Sequence, residues 1–319
     1  MRICMIFFCA FVAVNRFYER MNMDIKEFSA NMKIAVSSIL GEGYEVEERM
    51  IQKNNGIELD ALVIRNEEEP LAPTIYLKKY YENYLDGESI RDGAARLAED
   101  YRDAVPKEKT DMSFFGDYEK VKNGLSYKLI SAERNGSLLK KVPFVPFLDL
   151  AIVFYYSLDI SGIPDGTILI RDVHLDMWGI DRDTLIEDAR KNGPELLPGR
   201  CRDMFSVLSG MKEGFEREFD DTDDLPLMYV VSNTKMINGA SAMLYPGVMS
   251  ELSCRLGRNL YIIPSSIHEL IIIPDDGLED IKGLKDMIYN INRTQVEPQD
   301  VLSDSLYYFD CETEKITIA

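Results

Sequence analysis

Only two histidines occur in the chain, His174 and His268, so imidazole chemistry has to run through one of them. His268 lies in Pro264-Ser-Ser-Ile-His-Glu-Leu, where the hydroxyls of Ser265 and Ser266, the imidazole and the Glu269 carboxylate crowd together. Those are the group types from which a nucleophile, a general base and an orienting carboxylate are assembled. The spacing works against a triad. On a strand, Ser266, His268 and Leu270 share one face while Ile267, Glu269 and Ile271 share the other, so His268 and Glu269 point apart. A half-buried histidine satisfied at the start of a strand is the simpler expectation. His268-Glu269 also opens the His-Glu-x-x-His zinc pattern, but Ile272 stands where the second histidine belongs. His174, in Arg171-Asp-Val-His-Leu-Asp-Met-Trp-Gly, has Asp172 and Asp176 nearby and joins a metal site only if distant ligands converge on it.

Other chemistry is thinner. Neither phosphate-binding glycine pattern occurs, and Gly41-Glu-Gly43 precedes a strand rather than a helix, so no nucleotide or nicotinamide cofactor is expected. The Gly-x-Ser-x-Gly elbow is missing. The five cysteines, at 4, 9, 201, 254 and 311, include no Cys-x-x-Cys pair and suit reduced thiols. No metal is expected. What remains is a polar cluster in Ser232-Asn-Thr-Lys-Met-Ile-Asn-Gly-Ala, whose Asn233, Lys235 and Asn238 are candidates for a binding surface, although Asn238-Gly239 is chiefly a turn signal.

Charge narrows the partners. Fifty-five acidic residues against 36 basic ones give a formal −19, which repels phosphate backbones and anionic membranes. Direct nucleic-acid binding is therefore not expected, and neither is a membrane partner. From Glu213 to Asp224 seven carboxylates fall in twelve residues. That run lacks the calcium-loop spacing and reads as a solvated connector closed by Pro226.

The elements that must position these groups follow from periodicity. Ile25, Phe28, Met32, Val36 and Ile39 predict a helix over 24–40, ended by Gly41 and Gly43. A hairpin turning on Asn54-Asn55-Gly56 follows, then a short strand at Pro73 to Leu77. A helix is predicted from an Asp86 cap to Val105. Strands are expected at 125–130, 148–156 and 167–170, the last after an Asp165-Gly166 turn, and a short helix at 183–191. Beyond the connector the pattern predicts strands at 227–231 and 240–244, a helix from Pro246 to Gly257, strands at 260–264 and 267–274, a helix through Ile281 and Ile291, and strands at 306–309 and 315–318. The expected class is α+β, a mostly antiparallel sheet with helices on one face. The expected regions are an N-terminal extension over 1–22, α+β regions at 23–212 and 227–319, and the acidic connector at 213–226. The apolar run Ile3–Val14 resembles a signal-peptide core but is too short to span a bilayer and lacks a cleavage site, so a start at Met21 or Met23 is favoured.

Several motifs together carry a resemblance. Gln52-Lys-Asn-Asn-Gly with a following Leu-Asp, Pro73-Thr-Ile-Tyr-Leu, Ser232-Asn-Thr-Lys with Ile-Asn-Gly-Ala-Ser, and Tyr261-Ile-Ile-Pro-Ser-Ser-Ile-His-Glu with Ile-Ile-Pro occur in one order. The chain from about residue 24 onward thereby resembles the bacterial family known as domain of unknown function 5688. The resemblance implies an acidic protein of a bacterial cytoplasm, often encoded with mobile elements, and transfers no catalytic residue. The leading expectation is a non-catalytic accessory or regulatory protein that binds another protein. One alternative is a hydrolase or transferase using His268 with Ser265 or Ser266. Another is an acidic mimic of nucleic acid that inhibits a basic enzyme.

Overall fold

A computed structural model describes residues 23–66, 72–105, 112–161, 166–208, 228–277 and 280–319. The N-terminal extension over 1–22, Asp165 and the acidic run over 213–226 lie outside the described residues. The architecture is α+β with antiparallel strand pairing, and the chain divides into two compact units. The first comprises the described residues of 23–53 and 57–112, the second those of 54–56 and 113–319.

In the first unit, helix α1 (Ile25–Leu40) starts where Asp24 accepts the backbone N–H groups of Lys26 and Glu27. Strands β1 (Tyr44–Gln52) and β2 (Glu58–Asn66) form the expected hairpin, and β3 (Thr74–Tyr76) pairs with β2. Helices α2 (Lys78–Leu85) and α3 (Ile90–Ala104) complete it. Phe28, Met32 and Val36 pack with Leu62, Ile64, Leu97 and Tyr101 into one core. Asp86 is not the cap of α3. It closes α2, and the Ser89 hydroxyl accepts the Asp92 N–H instead, because an extra helix occupies the stretch in front.

The second unit contains two sheets. In one, β6 (Leu150–Ser157) pairs with β4 (Leu125–Ser131), β5 (Phe144–Phe147) and β7 (Thr167–Leu169), and every residue of β6 is buried. Ahead of β4 come a 3-10 turn (Met112–Gly116) and the short helix α4 (Tyr118–Val121). After β7 come α5 (Asp172–Trp178) and α6 (Arg182–Leu196). The second sheet runs in the order β13, β12, β10, β11, β9, β8, with β8 (Gly199–Asp203), β9 (Tyr229–Asn233), β10 (Leu260–Ile263), β11 (Leu270–Pro274), β12 (Tyr307–Asp310) and β13 (Lys315–Ile318). Helices α7 (Met204–Leu208), α8 (Val248–Leu256) and α9 (Ile281–Thr294) connect its strands.

Three expectations change here. Strand β8 pairs with β9 from Gly199–Asn233 to Asp203–Tyr229, so the chain on both sides of the acidic run belongs to one sheet, and the units divide at Met112 rather than at 213–226. Residues 240–244 are a 3-10 helix (Gly239–Leu244), not a strand, because Asn238 at φ 53° turns the chain out of extended geometry. Strand β11 begins at Leu270, not Ile267. The Ile267 N–H donates to the Asp300 carbonyl and its carbonyl accepts the Ala240 N–H, so the residue is engaged outside the ladder.

Candidate functional site

The loop from Pro264 to Glu269 and the segment from Pro298 to Ser305 are stitched together within the second unit. Ser266 forms an isolated bridge with Val301, the Ile267 N–H reaches the Asp300 carbonyl at 2.8 Å, and the Ser303 N–H reaches the Pro264 carbonyl at 3.2 Å. The turn Asn54–Gly56 grips the same segment. Asn54 Nδ2 donates to the Gln299 carbonyl at 2.8 Å, and Asn55 Nδ2 donates to the carbonyls of Pro298 at 2.9 Å and Val301 at 2.7 Å. Asn55 also exchanges bonds with Asn135, through its N–H at 2.9 Å and its Oδ1 at 3.0 Å. Apart from the side-chain bond between Asn135 and Asn55, these bonds satisfy carbonyls and amides of irregular backbone that no strand ladder serves.

Carboxylates anchor the far end of the segment. Asp149 accepts the hydroxyls of Ser303 at 2.5 Å, Ser305 at 3.1 Å and Tyr307 at 2.5 Å. Burial and that bond push the Tyr307 phenol far above its ordinary range. Asp304 is held by Asn292 Nδ2 at 2.8 Å, Arg134 at 2.9 Å and Arg293 at 3.3 Å. Burial raises the affinity of Asp304 for a proton. The asparagine and the two guanidiniums together outweigh it, and its carboxyl sits below the usual range.

His268 lies in a bend, not on a strand, so face alternation does not separate it from Glu269. No hydrogen bond joins the two side chains among the described residues. The ring is not packed beneath the sheet; its side chain keeps 36% of its accessible surface. Its two nitrogens nevertheless have assigned positions. Nδ1 accepts the Asn238 N–H at 3.3 Å, and Nε2 faces Asp300 Oδ1 at 3.5 Å. An acceptor at Nδ1 fixes the proton of the neutral ring on Nε2, and the opposite tautomer would set Nδ1–H against the Asn238 N–H. In a hydrolytic triad one imidazole nitrogen accepts the nucleophile's hydroxyl. Here a backbone amide takes that position. The Ser266 hydroxyl accepts the His268 N–H at 3.0 Å, and among the described residues neither it nor the buried Ser265 bonds to the ring.

The polar cluster at 233–238 divides in the same sense. Asn233 is buried, with Oδ1 accepting the N–H groups of Lys235 at 3.0 Å and Ile237 at 3.3 Å and Nδ2 donating to the Ile237 carbonyl at 2.7 Å. It is the internal brace of the loop. Asn238 is buried too and supplies the left-handed turn. Gly239 has to be glycine, since a Cβ there would stand 2.1 Å from Ser232 Oγ, 2.5 Å from the His268 carbonyl and 2.8 Å from the Asn233 nitrogen. Of the three candidates only Lys235 reaches the surface, where Nζ meets Asp159 at 2.7 Å. Beside it Met236 is 45% exposed and held at φ 55°, a conformation that costs a side-chain-bearing residue free energy.

His174 is occupied as well. Its Nδ1 accepts the Arg171 N–H at 3.2 Å, its ring stands edge-on to Phe115 at 5.2 Å, and burial followed by the Arg171 charge lowers its pKa. No group of three His, Cys, Asp or Glu side chains suited to a metal occurs among the described residues. No helix among them is long and apolar enough to cross a membrane. Sequence reasoning missed Asp300, Asn135 and the second role of Asn54 and Asn55. The available signal was the doubled asparagine, because one asparagine before a glycine already suffices for a turn.

Residues 25–311 match the model of a family of unknown function (DUF5688), and the chain belongs to that family. No curated protein and no solved structure matches the chain.

Proposed function

We propose that this member of the DUF5688 family is a non-catalytic accessory or regulatory protein that recognises a protein partner through the loop from Asn233 to Asn238. One observation carries the reading. Met236 is an exposed apolar side chain kept in a left-handed conformation by a buried, fully engaged Asn233. Backbone strain that the surroundings over-determine, at a site where an apolar group is presented to solvent, is the pattern of a binding loop. Lys235, Asp159 and the formal −19 surround it with charge that favours a partner of mixed or basic character. A bacterial cytoplasm and an association with mobile elements are part of the same proposal. The hydrolase reading is the weaker one, because both His268 nitrogens face groups other than a hydroxyl.

Affinity purification from the bacterial host tests the reading with three baits. Wild type is expected to recover one stoichiometric protein, Met236→Asp to lose it, and His268→Ala to keep it. Recovery that is unchanged by Met236→Asp, or the absence of any stoichiometric protein, overturns the proposal.

A further inference from the structure

The second unit carries an aromatic surface that the loop reading does not use. Phe115 lies at its centre, 5.2 Å from the Trp178 ring, 5.2 Å from His174, 6.0 Å from Tyr156 and 6.5 Å from Phe114. Tyr118 lies against Trp178 at 5.7 Å with the rings tilted by 48°. Phe114, Phe115, Tyr118, His174 and Trp178 are all half-buried, each keeping part of its surface in solvent. The polar ends of two of these rings are already engaged: Trp178 Nε1 donates to the Phe115 carbonyl at 2.7 Å, and the Tyr118 hydroxyl donates to Asp188 at 2.6 Å. What they present to water is chiefly carbon. Next to the His174–Trp178 stripe, α5 carries a second stripe one residue round the helix, Val173 at 63% exposure and Met177 at 50%. Rings with their polar atoms engaged, flanked by exposed aliphatics, are the composition of an interface core rather than of ordinary surface.

The charge around this face specifies its occupant. The segments that build it, residues 112–122 and 171–188, hold eight carboxylates (Asp117, Glu119, Asp172, Asp176, Asp181, Asp183, Glu187 and Asp188) against four basic groups (Lys120, Lys122, Arg171 and Arg182). Face-on aromatic rings attract guanidinium and ammonium groups, and an acidic rim strengthens that attraction. We infer that the Phe115–Trp178 face docks a basic, amphipathic peptide segment of a partner protein, its aliphatic side chains against Val173 and Met177 and its arginines or lysines over the rings and toward the carboxylates.

Trp178 is the single tryptophan of the chain, so its emission reports on this face alone. The probe is a short synthetic peptide interleaving leucine with arginine, compared with one interleaving leucine with glutamate and titrated into the whole protein. A saturable change in Trp178 emission with the first peptide and none with the second is expected. Val173→Lys with Met177→Lys, at two exposed positions, should keep the unfolding temperature and weaken that binding by at least about tenfold, a loss of about 1.4 kcal/mol. Equal affinity in the double variant would show general adhesion to an acidic protein and overturn the proposal. So would a response to the acidic peptide, no saturable response to either, or emission that changes with protein concentration alone, which would assign the face to a second copy. Met236→Asp should leave this titration unchanged, so the loop reading and this one fail separately.

Discussion

The two histidine neighbourhoods of the second unit use the same device to opposite ends. Each ring offers Nδ1 to a backbone N–H at the entrance of a helix: Arg171 ahead of α5 for His174, and Asn238 ahead of the 3-10 helix for His268. Around His268 the rest of the surroundings is polar, with Ser266, Asn233 and Asn55 bonded to irregular backbone and the Asp300 carboxylate facing the ring. Around His174 the surroundings are aromatic and open to solvent. The dense polar run around His268 therefore belongs to the frame of this protein, and the aromatic surface lies where polar atoms are few. Polar side chains satisfy backbone that leaves a ladder, while exposed carbon has no such internal use.

The frame should be brittle where its parts interlock. Gly239→Ala is expected to cost more than about 3 kcal/mol in denaturant unfolding, because the contacts its Cβ would make include two backbone atoms that cannot swing away. A loss below about 1 kcal/mol would mean that the 233–239 loop adapts and that the frame is softer than its bonds suggest. Asn55→Ala comes next, at about 2 kcal/mol, since it removes two donors to carbonyls and one of the two acceptors of the Asn135 amide, which keeps only the Ser131 carbonyl. His268→Ala should cost about 1 kcal/mol by freeing the Asn238 N–H, and His268→Asn, whose Oδ1 stands near the place of Nδ1, about half of that or less. A catalytic base would be abolished equally by both, so the split between them separates a capping imidazole from a reactive one.

How much of this was legible follows the same division. Periodicity located α1, the β1–β2 hairpin and α9, regular elements that each bury part of one face, and the last strand pair, where β12 alternates buried and half-buried residues. It placed β11 three residues early and read 240–244 as a strand, because apolar positions such as Ile267 and those of 240–244 are buried by tertiary contacts that carry no local period. Asn233 and Asn238 read as surface candidates in the sequence and are buried in the structure. Asp300 could not be linked to His268 by any spacing rule, since thirty-two positions of chain separate them in the sequence. The family resemblance was legible over nearly the whole chain, and the motifs of this sequence on which it was read include frame residues, among them Asn54, Asn55, Ser266 and Gly239.

Met236 separates frame from surface within a single loop. Relief of its left-handed backbone makes Met236→Gly stabilising by about 0.5 to 1 kcal/mol, while removal of the side chain weakens partner recovery. Stability and binding moving in opposite directions is the outcome a purely structural methionine does not give. Lower stability in Met236→Gly would place its side chain in the frame after all.

The smallest effect concerns the other histidine. Burial, followed by Arg171, lowers the pKa of His174, so below the ordinary imidazole value of about 6.5 the unfolded chain binds a proton that the folded one resists. With more protons on the unfolded side, stability is complete above that pH and falls as pH drops through it toward the depressed folded value. Protonation would also place Nδ1–H against the Arg171 N–H, so the loss should appear first at the start of α5, beside Trp178. Urea midpoints measured from pH 7.5 to 5 by Trp178 emission are expected to decline in wild type and to flatten over that window in His174→Gln, which accepts a hydrogen bond but does not titrate there. An equal decline in both would move the pH dependence to carboxylates elsewhere. The aromatic surroundings would then hold His174 no differently from water, and the contrast with His268 would rest on geometry alone.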